Sequence, residues 1–188
     1  MKKIPTLYVR DQFDMRHVTQ ELTPGCEWVL AGEGIATRKY DGTCVLIKKD
    51  STAWGKVWTR REVRSGKNMP VGFITVDVDR DTGKIIGWEP AKYSPFNKYL
   101  REALINLQDF GRIENGTYEL CGPKINGNPE DYPVHRLIMH DKAERYVDLD
   151  IPVSFEWIRK SVLSLPWEGI VWHHKDGRRA KIKRKDFQ

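Results

Sequence analysis

Short strand-like runs, each ended by turn-forming residues, are the strongest constraint on what this chain can fold into. Strands are expected at residues 27–30, 36–40, 43–48, 57–60, 117–121, 136–140, 169–174 and 180–184, where β-branched, aromatic and alternating residues cluster. Between the last two lie Lys175, Asp176 and Gly177. Asp-Gly is a favoured tight-turn pair, so these strands should form an antiparallel hairpin. Two helices interrupt the pattern. One opens at Ser94 as cap with Pro95 in its first turn, and sets Phe96, Tyr99, Leu100, Ala103, Leu104 and Leu107 at helical spacing before stopping near Gly111. The other covers about 154–163. The expected fold class is therefore α+β, with antiparallel sheets and a few flanking helices. At 188 residues, with no internal repeat and no convincing linker, one domain spanning 1–188 is expected. Residues 123–133, PKINGNPEDYP, resist regular structure and should form a loop that either rims a site or connects two strands.

Composition narrows the functional classes. No apolar run approaches the roughly 18 residues needed to span a bilayer, and the N-terminus lacks the apolar region of a secretory signal. A protein that stays in the cytoplasm, with no membrane and no protein partner implied, is expected. Cys26, Cys44 and Cys121 lie far apart without CxxC spacing, which argues against a disulfide framework or a structural zinc site. The net charge of +6 is concentrated in residues 175–185, KDGRRAKIKRK, and in a second cluster at Arg60, Arg61, Arg64 and Lys67. Such clusters suit a polyanionic partner, although charge alone describes a solvated face equally well.

The chemically informative string is Lys39, Tyr40, Asp41, Gly42, a lysine near the end of an expected strand followed by an acid and a turn glycine. A KxDG tetrapeptide by itself is weak, because an exposed lysine beside a β-turn has the same appearance. Its weight comes from an ordered set downstream: TRR at 59–61, YELCG at 118–122, EGIVW at 168–172 and KIK at 181–183. Lys181 and Lys183 stand on alternate positions of one strand and so point the same way.

In this order the motifs resemble those of the covalent nucleotidyltransferase superfamily of RNA ligases, DNA ligases and mRNA-capping enzymes, over about residues 36–185. Within it the chain looks closest to ATP-dependent RNA ligases, in a compact group related to RNA ligase 1 and to the vertebrate 5′-to-3′ RNA ligase. The resemblance implies an adenylation domain with a cleft where Lys39 meets the nucleotide. Lys39 would attack the α-phosphate of ATP, and Asp41 and Gly42 complete its motif. Arg60, or Arg61 if the register differs by one, would contact the nucleotide or the RNA 5′-phosphate. Glu119 would hold the ribose. Glu168 would support the nucleophile and a Mg²⁺ or Mn²⁺ ion, Ile170 or Val171 would lie against adenine, and Lys181 and Lys183 would hold the α-phosphate. RNA with 5′-phosphate and 3′-hydroxyl ends is the implied partner.

The chemistry needs that set. An ordinary lysine, with a pKa near 10.4, is a free amine in only about one molecule in a few thousand at neutral pH. Neighbouring cations and desolvation favour the neutral amine and also offset phosphate charge in the transition state. Two features depart from the family pattern. The sequence stops at Gln188, five residues after Lys183, so an OB domain of the kind that follows in DNA ligases and capping enzymes is not expected, which favours RNA over DNA as the substrate. The adenine-stacking residue is indistinct, with Ile138 and His140 as candidates, and the pyrophosphate-orienting group is open among Arg61, Arg64, Lys124 and Lys185. His173 and His174 should lie on opposite strand faces and share no metal. Trp54 and Trp58 are candidate RNA-stacking residues, with core packing the simpler use of most tryptophans. The rivals are a DNA ligase or guanylyltransferase, an inactive relative, and a noncatalytic RNA-binding module.

Overall fold

In a computed structural model the described residues are 2–50, 56–80, 82–106, 113–149 and 151–188. Along the chain they form β1 (Tyr8–Arg10), β2 (Val18–Leu22), α1 (Glu27–Leu30), β3 (Gly34–Lys39), β4 (Thr43–Lys48), β5 (Lys56–Val63), β6 (Ile74–Val78), β7 (Ile85–Pro90), α2 (Asn97–Asn106), β8 (Gly116–Cys121), β9 (Arg136–Met139), α3 (Phe155–Ser164), β10 (Gly169–His174) and β11 (Arg179–Lys183). The result is a mixed structure of antiparallel sheets with few helices. Among the described residues no helix is long and apolar enough to cross a membrane.

The chain divides into two compact units. The first comprises residues 1–3 and 41–142 and carries a six-stranded sheet in the order β6-β7-β5-β4-β8-β9. Strand alternation sends Val45, Ile47, Tyr118, Leu120 and Leu137 to one face, where they pack with Leu100, Ala103 and Leu104 of α2. Ser94 lies three residues before α2, and its hydroxyl accepts from Phe96 N in the turn that leads into it, so the helix starts at Asn97 rather than with Ser94 as its cap. Its expected passage through Leu107 to Gly111 lies outside the described residues.

The second unit comprises residues 4–40 and 143–188. Its three-stranded sheet runs β11-β10-β3, and the β10–β11 hairpin turns through Gly177, which adopts φ +91° and returns its N–H to His174 O at 3.0 Å. Ala36, Ile170, Trp172, Ala180 and Ile182 line one face at 0% exposure and meet Ile158 and Val162 of α3. Ser154 caps α3 by accepting from Trp157 N.

One expected strand is a helix. Residues 27–30 form α1, flanked by Gly25 and Gly32 at positive φ. Trp28 and Val29 are both buried in one core, whereas a strand would send these neighbours to opposite faces. Glu27 further secures the turn by accepting from Gly25 N at 3.0 Å. Strands β1, β2, β6 and β7 were not expected.

Candidate active site

In the second unit the register decides which side chains meet. Gly169 lies opposite both Lys39 and Lys183, and Val171 lies opposite both Thr37 and Lys181. Alternation therefore gathers Lys39, Lys181 and Lys183 on one sheet face, away from the apolar core. Gly169 is needed between the two lysines, since a Cβ there would stand 2.1 Å from Ile182 O and 2.8 Å from Lys183 Cα.

Glu168, just before β10, joins this face. Its Oε2 accepts from Lys39 Nζ and its Oε1 from Lys183 Nζ, so one carboxylate bridges two ammonium groups. The three side chains are only 13–20% exposed. Burial opposes the charged carboxylate, but the Lys39 charge and the Lys183 hydrogen bond and charge outweigh it and hold the carboxyl below its ordinary value. Without Glu168 the two cations would repel each other across a poorly hydrated space.

The same register separates Ile170 from Val171. Ile170 faces the core at 0% exposure, opposite Arg38 and Ile182. Val171 is half-buried on the lysine face. His173 contacts Thr37 Oγ1 on that face, while buried His174 turns toward Glu33 and Asp176.

The first unit holds Asp41 and Gly42. Residues 123–133 form the expected loop, which ties down the Asp41–Gly42 turn. Asn126 Nδ2 donates to Asp41 Oδ1 at 2.9 Å and to Gly42 O at 3.0 Å, and Glu130 Oε1 accepts from Asp41 N at 2.8 Å. A Cβ on Gly42 would meet Leu120 O at 2.3 Å, so the backbone approach itself requires glycine here.

Glu119 projects from β8 on the face opposite that unit's core. Its Oε1 accepts from Gly42 N at 3.1 Å, and its Oε2 meets His140 Nε2 at 2.9 Å. His140 is itself fixed by Thr117 Oγ1 at 2.9 Å from Nδ1. Arg60 shares this face by alternation along β5, and its buried Nε has no hydrogen-bond partner among the described residues. Arg61 points to the other face and pairs with Glu89, 2% exposed, at 2.8 Å. Of the two register options, Arg60 is therefore the arginine beside Glu119's face. Trp58 shares that side of β5, and Trp54 lies outside the described residues.

The sequence did not single out Asn126, Glu130 or Thr117. Their contribution is to hold other groups in place, and the Asn-Gly-Asn texture of the loop hinted at it for Asn126 and Glu130 alone.

No protein-family model matches this chain, and no curated protein does. Solved structures similar to it include two RNA ligases. One is a Naegleria gruberi RNA ligase, a lysine-to-alanine mutant in the apo form, with 18% identity and a TM-score of 0.46. The other is a Naegleria gruberi RNA ligase, a lysine-to-methionine mutant with AMP and Mn, with 18% identity and a TM-score of 0.43. Each match covers 96% of this chain, which spans 57% of the length of the solved one.

Proposed function

We propose that this chain is an ATP-dependent RNA ligase, a single adenylation domain over 1–188 whose Lys39 carries AMP during the reaction. The observation that carries the reading is the Glu168 carboxylate shared by Lys39 and Lys183 on the sheet face that also presents Lys181. A nucleophilic lysine and two further cations on one face is what attack on a polyanionic phosphate requires.

The donors of the second unit fit a nucleotide's phosphates, since three ammonium groups share one sheet face. They do not fit a divalent ion ligated by Glu168, because the two ammonium charges held against its oxygens would repel such an ion. A Mg²⁺ or Mn²⁺ ion in this reading would arrive with the nucleotide, whose oxygens suit hard cations.

In the first step Lys39 Nζ, having lost its proton, attacks the α-phosphorus of ATP. An N–P bond forms, the bond to the bridging oxygen breaks, and pyrophosphate leaves with the electron pair. Lys181 and Lys183 offset the charge on the α-phosphate oxygens. Glu168, held as a carboxylate, orients Nζ. In the second step an RNA 5′-phosphate oxygen attacks the lysyl-AMP phosphorus and frees Lys39. In the third, an RNA 3′-hydroxyl attacks the adenylated 5′-phosphate and AMP departs. Val171 supplies the apolar contact for adenine and Glu119 the ribose contact.

Incubation with α-labelled ATP or GTP, followed by single-stranded RNA or nicked DNA bearing 5′-phosphate and 3′-hydroxyl ends, tests the reading. Label transferred from ATP and joined RNA are expected. Label from GTP alone, or sealing of DNA alone, would move the assignment to a guanylyltransferase or DNA ligase, and no transfer from either donor to a folded chain would leave an RNA-binding module.

A further inference from the structure

We infer that Cys44, Glu119 and His140 form a binding site for a borderline transition-metal cation of the Zn²⁺ class. The inference goes beyond the ligase reading and needs neither ATP nor RNA. One ligand atom from each residue, a sulfur, a carboxylate oxygen and an imidazole nitrogen, lies within 4.8 Å of the other two. The sheet builds this convergence. Cys44 on β4 stands directly opposite Glu119 on β8, and His140 immediately follows β9, the next strand.

The donor set selects the ion. A thiolate, an imidazole and a carboxylate together suit Zn²⁺ and Co²⁺, whereas Mg²⁺ prefers oxygen alone. Thr117 Oγ1 holds His140 Nδ1 and so aims Nε2 at Glu119. A contact of this kind on the second ring nitrogen is how metal-ligating histidines are commonly oriented. If Nδ1 carries the proton toward Thr117, the Nε2 lone pair faces a carboxylate oxygen, an arrangement that a cation between them relieves. Three protein ligands leave a fourth position for water, the pattern of an exchangeable rather than closed site. Tetrahedral ligation at about 2.0–2.3 Å per bond sets ligand atoms about 3.3–3.7 Å apart, so the wider pairs draw in while His140 Nε2 and Glu119 Oε2, 2.9 Å apart, part slightly. Solvent reaches the site, since the His140 and Glu119 side chains are 20% and 13% exposed and Cys44 is half-buried.

On binding, the Cys44 thiol gives its proton to solvent as the sulfur–metal bond forms. The metal also takes up Glu119, the carboxylate assigned above to the ribose, so an active chain would lose adenylation under Zn²⁺ and regain it with a chelator.

Titration of the full chain with Co²⁺ tests the site. One equivalent should produce a sulfur-to-cobalt charge-transfer band in the near ultraviolet, displaced by Zn²⁺ and not by excess Mg²⁺. Cys44→Ser should abolish the band, and Cys26→Ser, in the other unit, should leave it intact. His140→Gln and Thr117→Val should each weaken Co²⁺ binding about tenfold or more. Absence of the band in the native chain, its survival in Cys44→Ser, its loss in Cys26→Ser, or unchanged affinity in His140→Gln would overturn the inference. His140→Gln decides the matter should Cys44→Ser fail to fold. Because the readout is spectral, failure here and failure of the ligase reading are distinguishable.

Discussion

Glu168 and Glu119 are both strand-associated acids, yet the two units hold them by opposite means. Glu168 lies between two ammonium groups, whereas Glu119 lies between a backbone amide and an imidazole. The first arrangement keeps two cations close together and fixes the carboxylate in its charged form. The second orients a carboxylate between a backbone N–H and an imidazole nitrogen and leaves it able to accept from a hydroxyl or meet a cation. In the proposed chemistry Glu168 would therefore serve the phosphate end through charge, and Glu119 recognition through geometry.

The largest effect expected from breaking this contrast is at Glu168. Glu168→Ala should lower the rate of adenylation by about 10²-fold or more, because the nucleophile loses its orienting partner and two ammonium groups are left to repel. Glu119→Gln keeps an acceptor for Gly42 N and should raise the ATP requirement more than it lowers the maximal rate. Single-turnover kinetics over a range of ATP separates the two. Equal losses of maximal rate would erase the distinction.

Next come the glycines and arginines. Gly169→Ala forces a Cβ against Ile182 O and should cost about 1–3 kcal/mol in urea unfolding. Arg61→Ala strands the buried Glu89 and should cost about 2 kcal/mol, discounted because Arg61 is 46% exposed. Arg60→Ala should leave stability nearly unchanged and weaken nucleotide binding. The reverse pattern would exchange the roles of the two arginines.

Acid should also report on Glu168. Its carboxyl is held below the ordinary value of 4.5, so the stability this gives is fully present above that pH and is lost as pH falls through the lower folded value. Unfolding free energies measured from neutrality downward should therefore fall less steeply below pH 4.5 in Glu168→Gln than in the native chain. An unchanged slope would remove Glu168 as the source. The smallest effect concerns the adenine contact. Ile170→Val should cost about 1 kcal/mol of stability with ATP affinity intact, while Val171→Ala should do the opposite.

Much of this contrast was readable in the sequence because strands have period two. That period placed Lys181 and Lys183 on one face, and an Asp-Gly pair marked the hairpin whose second strand carries them. It could not say which face of β5 belongs with Glu119, so Arg60 and Arg61 separated only once β5, β4 and β8 were in register. Ile170 and Val171 separated for the same reason, through β10. The bridge by Glu168 needed three strands aligned at Gly169. The Asn126 and Glu130 contacts come from an irregular loop, where spacing carries no geometric information. Residues 27–30 read as a strand because their apolar residues are adjacent, and the helical turn became visible only with both flanking glycines at positive φ.

The central claim is that Lys39 accepts AMP, and intact-protein mass spectrometry tests it most directly, with the chain measured as purified, after pyrophosphate treatment to remove any AMP already attached, and after ATP with Mg²⁺. The account predicts a gain of one AMP on the native chain, mapped to Lys39 and absent from a folded Lys39→Ala variant. No gain in a folded, AMP-free native chain, or an undiminished gain in Lys39→Ala, would contradict it.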